Sequence, residues 1–153
     1  MPKTDISQIA EYLFISSWPL AEHSAEIRAL GIRLILSMHW LRPSRKLNQP
    51  PLRLLWLPTF DNPLFPIPVG ILAKGVRQAA PVIQDGFGVL THCRHGKHRS
   101  VAMACCVLIA SGLNADEAMR LVAEKRAAAD PNAWYIKQQI IRFERYWQEN
   151  AHE

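Results

Sequence analysis

The sequence predicts an α/β protein with a single domain, 1–153, whose central, mostly parallel sheet of four to five strands is flanked by helices. Short apolar runs alternate with stretches of helical periodicity, which is typical of a sheet covered by helices. The run 87–92 is almost wholly apolar, as expected for a central strand of a parallel sheet. The segment 100–111 is apolar on nearly all sides, so we expect a helix in the middle of the domain.

The first half of the chain alternates predicted strands with one short helix. A strand is expected at 12–16, and a helix at 21–30 should end at the glycine that follows it. Two further apolar runs, 32–38 and 52–57, predict the next strands. Residues 58–68 contain four prolines, so they should form an irregular loop.

The second half of the chain is predicted to be mainly helical around the strand at 87–92. Apolar residues recur at helical spacing over 69–83, although Pro81 should kink or shorten that helix. Asn114 and Glu117 have the spacing of a capping box, which predicts the start of another helix. Asp130-Pro131 is expected to cap the last helix. That helix should present one apolar face, formed by Ile136, Ile140, Phe143 and Trp147.

Composition narrows the classes of protein. A formal net charge of +5 suits an anionic partner, although a surplus of this size also promotes solubility. The three cysteines, two of them adjacent, do not resemble a disulfide framework, so we expect a cytoplasmic location. No apolar run is long enough to span a bilayer, and the first residues lack the layout of a secretory signal.

The most informative segment is VLTHCRHGKHRS, residues 89–100. A tight loop between a strand and a helix directs backbone N–H groups inward, and the helix N-terminus adds partial positive charge. Gly96 allows the loop to turn, and Arg99 offers a planar fork to two phosphate oxygens. Cys93 in such a cradle should be a nucleophilic thiolate, and Ser100 is placed to hydrogen-bond its sulfur. The cradle itself supplies charge stabilisation, so no metal or other cofactor is expected.

The order His92-Cys93, five residues, Arg99-Ser100 resembles the signature loop of the protein tyrosine phosphatase superfamily. The opening IAEYLFISSWPLAEHSAEIRALGIRLILSM and the FERYW run near the end resemble its small dual-specificity branch. The resemblance implies a dual-specificity phosphatase-like fold and a phosphocysteine intermediate at Cys93, with His92 in a supporting role. The phosphoryl group would be bound by Arg94, His95, Gly96, Lys97, His98 and Arg99.

That family also uses an aspartic acid that protonates the leaving oxygen. Asp61 is the only carboxylate between residues 27 and 84, and it lies 32 residues before Cys93. Its loop follows a strand, so in a parallel sheet it leaves the same edge as the Cys93 loop. Asp85 precedes the strand that ends at Cys93, which puts it at the opposite edge, about 20 Å away. We therefore predict Asp61 as the general acid and base.

Structural roles for these residues stay open at this stage. Cys93 could be a buried thiol, Asp61 a turn residue, and Ser100 only the N-cap of the helix that follows. Cys105 and Cys106 lie on the apolar helix and are expected in the core, although a disulfide with oxidised Cys93 is an alternative. Metal binding is disfavoured because four ligands crowd into seven residues among cationic neighbours; those ligands would be His92, Cys93, His95 and His98.

The sequence is compatible with more than one class of substrate. Members of the branch act on phosphotyrosine, phosphoserine and phosphothreonine, so we expect a phosphorylated protein as the partner of a monomeric enzyme. Small polyphosphorylated substrates, namely inositol polyphosphates, pyrophosphates or phosphoinositides, are the alternative, because two loops are basic. A phosphate-binding module without turnover and an RNA 5′-phosphatase also stay open, although no surface suggests nucleic acid binding. The basic loop positions are Arg94, His95, Lys97 and His98, with Arg42, Arg45 and Lys46 in the loop after the second predicted strand, which should also face the site.

Overall fold

A computed structural model describes residues 5–150; the predicted domain 1–153 also includes 1–4 and 151–153, which lie outside the described residues. The strands are β1 (Ile6–Ala10), β2 (Leu13–Ser16), β3 (Ile32–Ser37), β4 (Arg53–Trp56) and β5 (Gly88–His92). The α-helices are α1 (Ser24–Ala29), α2 (Val69–Gln84), α3 (Arg99–Ala110), α4 (Ala115–Lys125) and α5 (Trp134–Asn150). Short 3₁₀ turns at Ala21–His23 and Arg45–Leu47 complete the described elements.

The five strands form one sheet in the order β1-β2-β5-β3-β4. Only β1 and β2 pair antiparallel, while β2, β5, β3 and β4 are parallel neighbours. All five residues of β5 are buried, because strands and helices cover it on every side. The predicted α/β class, the mostly parallel sheet and the central position of β5 are thus confirmed.

Helices cover both faces of the sheet, and α3 is the most deeply buried of them. One apolar cluster joins the sheet to α2, α3, α4 and α5. A smaller cluster on the other face includes Ile27 of α1. Every residue of α3 from Arg99 to Ile109 is buried, which confirms the interior helix predicted at 100–111. None of the helices in the described part of the chain is long and apolar enough to cross a bilayer.

Three sequence predictions need correction. No strand is predicted before residue 12, whereas β1 pairs with β2 across a two-residue connection. Pro81 does not shorten α2, which continues to Gln84, because a proline in the last turn removes only one helical hydrogen bond. The last helix begins at Trp134 and not at Asp130-Pro131, since its first hydrogen bonds, from the Ile136 and Lys137 N–H groups, go to the Ala133 carbonyl. The Asp130 N–H donates to the Lys97 carbonyl instead, 3.0 Å away. The capping box of Asn114 and Glu117 forms as predicted.

Candidate active site

The loop between β5 and α3 lies at the carboxyl edge of the parallel strands. A cavity of about 340 Å³ opens there, lined by Asp61, Cys93, Arg94, His95, Lys97, His98 and Arg99. The loop leaves the central strand and enters the innermost helix, so the sheet and the apolar core fix both of its ends. Asp61 lies at the predicted edge of the sheet, because its loop follows β4 and reaches the same cavity.

Hydrogen bonds from outside the loop fix the orientation of its peptide groups. The carbonyl groups of 94–97 each accept a hydrogen bond from a residue elsewhere in the chain. In a trans peptide the next N–H points the opposite way, so the N–H groups of 95–98 turn away from these donors. This is the backbone arrangement that binds an anion. The four bonds are Trp18 N–H to Arg94 (3.1 Å), Arg126 to His95 (3.0 Å) and Gly96 (2.8 Å), and Asp130 N–H to Lys97 (3.0 Å).

Arg126, the residue that follows α4, is the main external support of the loop. Its side chain is almost fully buried and donates to two loop carbonyls, to Ser7 Oγ and to both carboxylate oxygens of Asp5. Gly96 has a φ of 64°, and a Cβ at this position would lie 2.5 Å from Arg126 Nη2. The loop therefore requires glycine both for its backbone conformation and for the packing of Arg126. Nothing in the sequence around Arg126 indicates this role.

Cys93 lies at the base of the cavity, and its Sγ is 3.1 Å from Ser100 Oγ. Burial acts to raise the pKa of this thiol. Hydrogen bonds from the Ser100 side chain and N–H, another from the Lys97 N–H, and the charge of Arg99 oppose burial and hold the pKa below its usual value. A thiolate at a helix N-terminus among cations is a strong nucleophile. The contact predicted between Ser100 and the sulfur is present.

Arg99 is buried beside Cys93, and one N–H donor of its guanidinium group is unpaired within the described residues. Its Nη1 donates to the Thr59 carbonyl at 2.9 Å, which fixes the guanidinium plane against the loop that contains Asp61. Its Nε has no hydrogen-bond partner among the described residues, although it is buried. A buried donor of a permanent cation without a partner is costly, and an anion in the cavity would satisfy it.

His92 supports the loop from the core as an uncharged group. Burial lowers the pKa of His92 to about 4, so the ring is neutral near pH 7. Its Nδ1 lies 3.2 Å from the Cys93 carbonyl oxygen, and the ring packs edge-on against Trp18. Burial lowers the pKa of His39 as well, with the charges of Arg99 and Arg94 acting in the same direction. The two rings thus add no positive charge beside the cysteine at neutral pH.

Asp61 is held by two side chains from other parts of the fold. The Tyr135 hydroxyl donates to Asp61 Oδ1 at 2.5 Å, and His98 Nδ1 lies 2.9 Å from Asp61 Oδ2. His98 Nε2 in turn lies 3.4 Å from Asp130 Oδ2. Burial acts to raise the pKa of Asp61, but these hydrogen bonds and the charges of His98 and Arg99 lower it overall. Burial and the neighbouring carboxylate raise the pKa of Tyr135 to about 12.

Other candidate residues lie outside the cavity. Asp85 lines a separate cavity of about 640 Å³ together with Arg33 and Phe87, so it is not near Cys93. Arg42, Arg45 and Lys46 were expected to face the site, but none of them lines the Cys93 cavity. Arg42 and Arg45 line another cavity that shares no residue with the Cys93 cavity, and Arg42 packs over Trp56. The α3 thiols Cys105 and Cys106 are fully buried, and burial raises the pKa of both.

The sheet topology and the cysteine loop at its carboxyl edge together define the class of protein, the protein tyrosine phosphatase superfamily. The chain belongs to the dual specificity phosphatase family, because the family model of the catalytic domain matches residues 13–146. This confirms the family predicted from the signature loop.

Comparisons with curated proteins agree with this assignment. The tyrosine-protein phosphatase yvh1 of Schizosaccharomyces pombe is 30% identical over 141 residues, which cover 92% of this chain and 42% of the relative. Dual specificity phosphatase 28 of Mus musculus is 26% identical over 146 residues, covering 95% of this chain and 87% of the relative. The chain thus spans less than half the length of yvh1, whose remaining residues have no counterpart in this alignment.

Solved structures show the same fold. Human DUSP28 superposes with a TM-score of 0.84 at 23% identity and covers 97% of each chain. PTPMT1 in complex with PI(5)P gives a TM-score of 0.84 at 20% identity, covering 96% of this chain and 99% of the other. At these identities the likeness concerns the fold alone.

Proposed function

We propose that this protein hydrolyses phosphomonoesters through a phosphocysteine at Cys93, with phosphotyrosine, phosphoserine and phosphothreonine of proteins as substrates. The observation that carries the proposal is one shared cavity, lined by Cys93, Arg99 and Asp61. These residues supply a nucleophile, an anion-binding cation and a carboxyl group for proton transfer. The combination fits phosphoryl transfer better than phosphate binding alone, which needs neither the thiolate nor the carboxyl.

In the first step, the Cys93 thiolate attacks phosphorus and forms the S–P bond. The bond between phosphorus and the leaving oxygen breaks, and Asp61 in its protonated form gives this oxygen its proton. The loop N–H groups and the Arg99 guanidinium hold the three remaining phosphoryl oxygens. An incoming phosphate dianion raises the pKa of Asp61 by like-charge repulsion, which favours the protonated form that this step needs.

In the second step, water attacks the phosphocysteine. The Asp61 carboxylate takes a proton from the water, the new P–O bond forms, and the S–P bond breaks. The Ser100 hydroxyl is 3.1 Å from the sulfur and can donate a hydrogen bond to the departing thiolate. The products are an alcohol or phenol and inorganic phosphate, and the enzyme returns to its starting state.

An exposed aromatic side chain beside a cavity residue supports a protein substrate. Phe60, which adjoins Asp61 in the chain, is more than half exposed. Such apolar surface suits the side chains that flank a phosphorylated residue, whereas an inositol polyphosphate has no apolar group to contact it. Arg42 and Arg45 lie outside the cavity, so fewer cations surround it than the sequence predicted. The exposed cavity cations Arg94 and Lys97, together with the exposed His95 side chain, are what favour the second candidate, an inositol phosphate or phosphoinositide.

The test compares turnover of four substrates by the wild type and by Cys93→Ser. The substrates are a phosphotyrosine peptide, a phosphoserine peptide, an inositol polyphosphate and phosphoinositide vesicles. We expect the highest kcat/KM on a phosphopeptide, no turnover by Cys93→Ser, and retained binding of inorganic phosphate by that variant. Turnover by Cys93→Ser close to wild type would reject the phosphocysteine, and a higher kcat/KM on either inositol substrate would reject the protein substrate.

The role of Asp61 is tested separately with Asp61→Asn, which keeps the shape of the side chain but cannot transfer the proton. A general acid contributes roughly 10²–10⁴-fold to the rate, so a loss of this order is expected in kcat/KM for phosphoserine peptides. A wild-type rate in this variant would remove Asp61 from the mechanism. Asp85→Asn is the matched control, because Asp85 lines a different cavity, and it should retain wild-type kinetics.

A further inference from the structure

The carboxyl group of Asp61 belongs to an irregular loop that has no helix or strand of its own. A carboxyl group on such a loop is not fixed by secondary structure, so other contacts must determine where it lies. In this protein both carboxylate oxygens have a side-chain partner. Tyr135 of α5 holds Oδ1, and His98 holds Oδ2 from the loop between β5 and α3, residues 93–98, which is called the phosphate loop below.

The two contacts come from different parts of the fold, α5 and the loop after β5, and they reinforce each other. The Tyr135 oxygen also lies 3.3 Å from His98 Nδ1, and the two rings pack edge-on with centroids 5.7 Å apart. His98 is held from behind by Asp130, and the Asp130 N–H is bonded to the Lys97 carbonyl of the same loop. The carboxyl of Asp61 is therefore attached to the phosphate loop and to α5 at once.

We propose that Tyr135 and His98 are positioning residues, which hold the Asp61 carboxyl over the phosphate loop in a geometry ready for proton transfer. The inference rests on the proposed role of Asp61 as general acid. Neither residue transfers the proton itself: each fixes one oxygen of the group that does. A correctly placed acid contributes to the rate mainly through its orientation, so loosening either contact lowers proton transfer without changing phosphate binding.

The chemistry of the leaving group separates positioning from a general structural role. Phenyl phosphate and 4-nitrophenyl phosphate have the same shape around phosphorus, but phenolate is a much more basic leaving group and depends more on protonation. We expect Tyr135→Phe to lower kcat/KM about tenfold for phenyl phosphate, which is less than complete loss of a general acid costs. For 4-nitrophenyl phosphate, kcat/KM of the same variant should stay within about twofold of wild type. Its affinity for vanadate should be unchanged.

Three further variants make the experiment decisive. His98→Ala removes the second contact and, like Tyr135→Phe, should lower kcat/KM more for phenyl phosphate than for 4-nitrophenyl phosphate. Tyr146→Phe is the matched control on α5, because its hydroxyl contacts Arg77 and not the cavity, and it should match wild type. Asp61→Asn with Tyr135→Phe should be no worse than Asp61→Asn alone, since the hydroxyl acts through the carboxyl.

The pH profile gives an independent measurement. Asp61 must be protonated in the first step, so kcat/KM falls as the pH rises through its pKa. The groups that face it are Tyr135, His98 and Arg99, with Asp130 behind His98. Loss of the Tyr135 hydroxyl removes a contact that lowers this pKa, so Tyr135→Phe should move the descending limb to higher pH.

The outcomes separate two claims: that Asp61 is the general acid, and that Tyr135 and His98 position its carboxyl group. If Asp61→Asn loses the same factor on both aryl phosphates, Asp61 is not the general acid, and the positioning role falls with it. If Asp61→Asn affects phenyl phosphate selectively but Tyr135→Phe and His98→Ala lower both substrates equally, or neither, the positioning role alone is wrong. A further loss on adding Tyr135→Phe to Asp61→Asn would likewise overturn it.

Discussion

Replacing Arg126 by alanine should weaken both the fold and the phosphate loop. The guanidinium is almost fully buried and contacts two separate regions, the loop carbonyls on one side and the residues Asp5 and Ser7 on the other. Its removal leaves two loop carbonyls without their donors. The peptide groups that these bonds orient would then be free to turn, so the loop N–H groups would no longer converge on the bound anion.

The size of the effect follows from the contacts. Each hydrogen bond from a charged donor to a loop carbonyl contributes about 1.5–3 kcal/mol. The ion pair with Asp5 adds about 0–1 kcal/mol, because the Asp5 side chain is 57% exposed and water screens it. We therefore expect Arg126→Ala to lower the free energy of unfolding by about 3–7 kcal/mol, which includes the range for breaking a buried polar network. For a protein of this length, this corresponds to a fall in Tm of roughly 10–20 °C.

Urea denaturation and vanadate binding measure the two effects separately. Arg120→Ala is the control, because Arg120 lies on α4 but is exposed, and its one hydrogen bond within residues 5–150 is to the Asp116 carbonyl. The control should stay within about 0.5 kcal/mol of wild type. A loss below about 1 kcal/mol in Arg126→Ala would refute the energetic argument. A large loss of stability with unchanged vanadate affinity below the transition would refute the claim that Arg126 orients the loop.

Three more substitutions test individual contacts. Ser100→Ala removes a hydrogen bond that lowers the pKa of Cys93, so the midpoint of iodoacetate inactivation should move to higher pH, and an unchanged midpoint would contradict this role. Gly96→Ala places a Cβ against Arg126 at a positive φ, which costs about 1–2 kcal/mol from the backbone alone, and denaturation should show at least this loss. Asn114→Ala removes the helix cap and should cost about 1 kcal/mol in denaturation with kcat/KM unchanged; lowered activity would mean that α4 also affects the site.

Features that depend on neighbouring residues could be predicted from the sequence. The strand, the glycine turn and the buried helix around Cys93 are encoded within one short segment, and the contact with Ser100 follows from it. Asp61 could be placed because the carboxyl ends of parallel strands share an edge. The strand β1 could not, since four of its five residues are partly or fully exposed and its composition is mixed.

Features that depend on side-chain contacts between distant segments could not be predicted. Arg126 and Tyr135 reach the site from the helical half of the chain, at separations of 30 residues from Gly96 and 74 from Asp61. Asp130 was misassigned for a related reason. An aspartate before proline has the pattern of a helix cap, but its N–H and carboxylate contact the phosphate loop instead. No local pattern distinguishes these uses.

The burial of α3 has a consequence for heat resistance. Its backbone amides can exchange with deuterium only if the helix separates from the sheet and from α2, α4 and α5 at the same time, which amounts to unfolding the whole domain. The anion cradle begins at the first turn of that helix, so it should not melt ahead of the rest. In a temperature ramp, vanadate binding and near-ultraviolet circular dichroism are expected to disappear together in one cooperative transition.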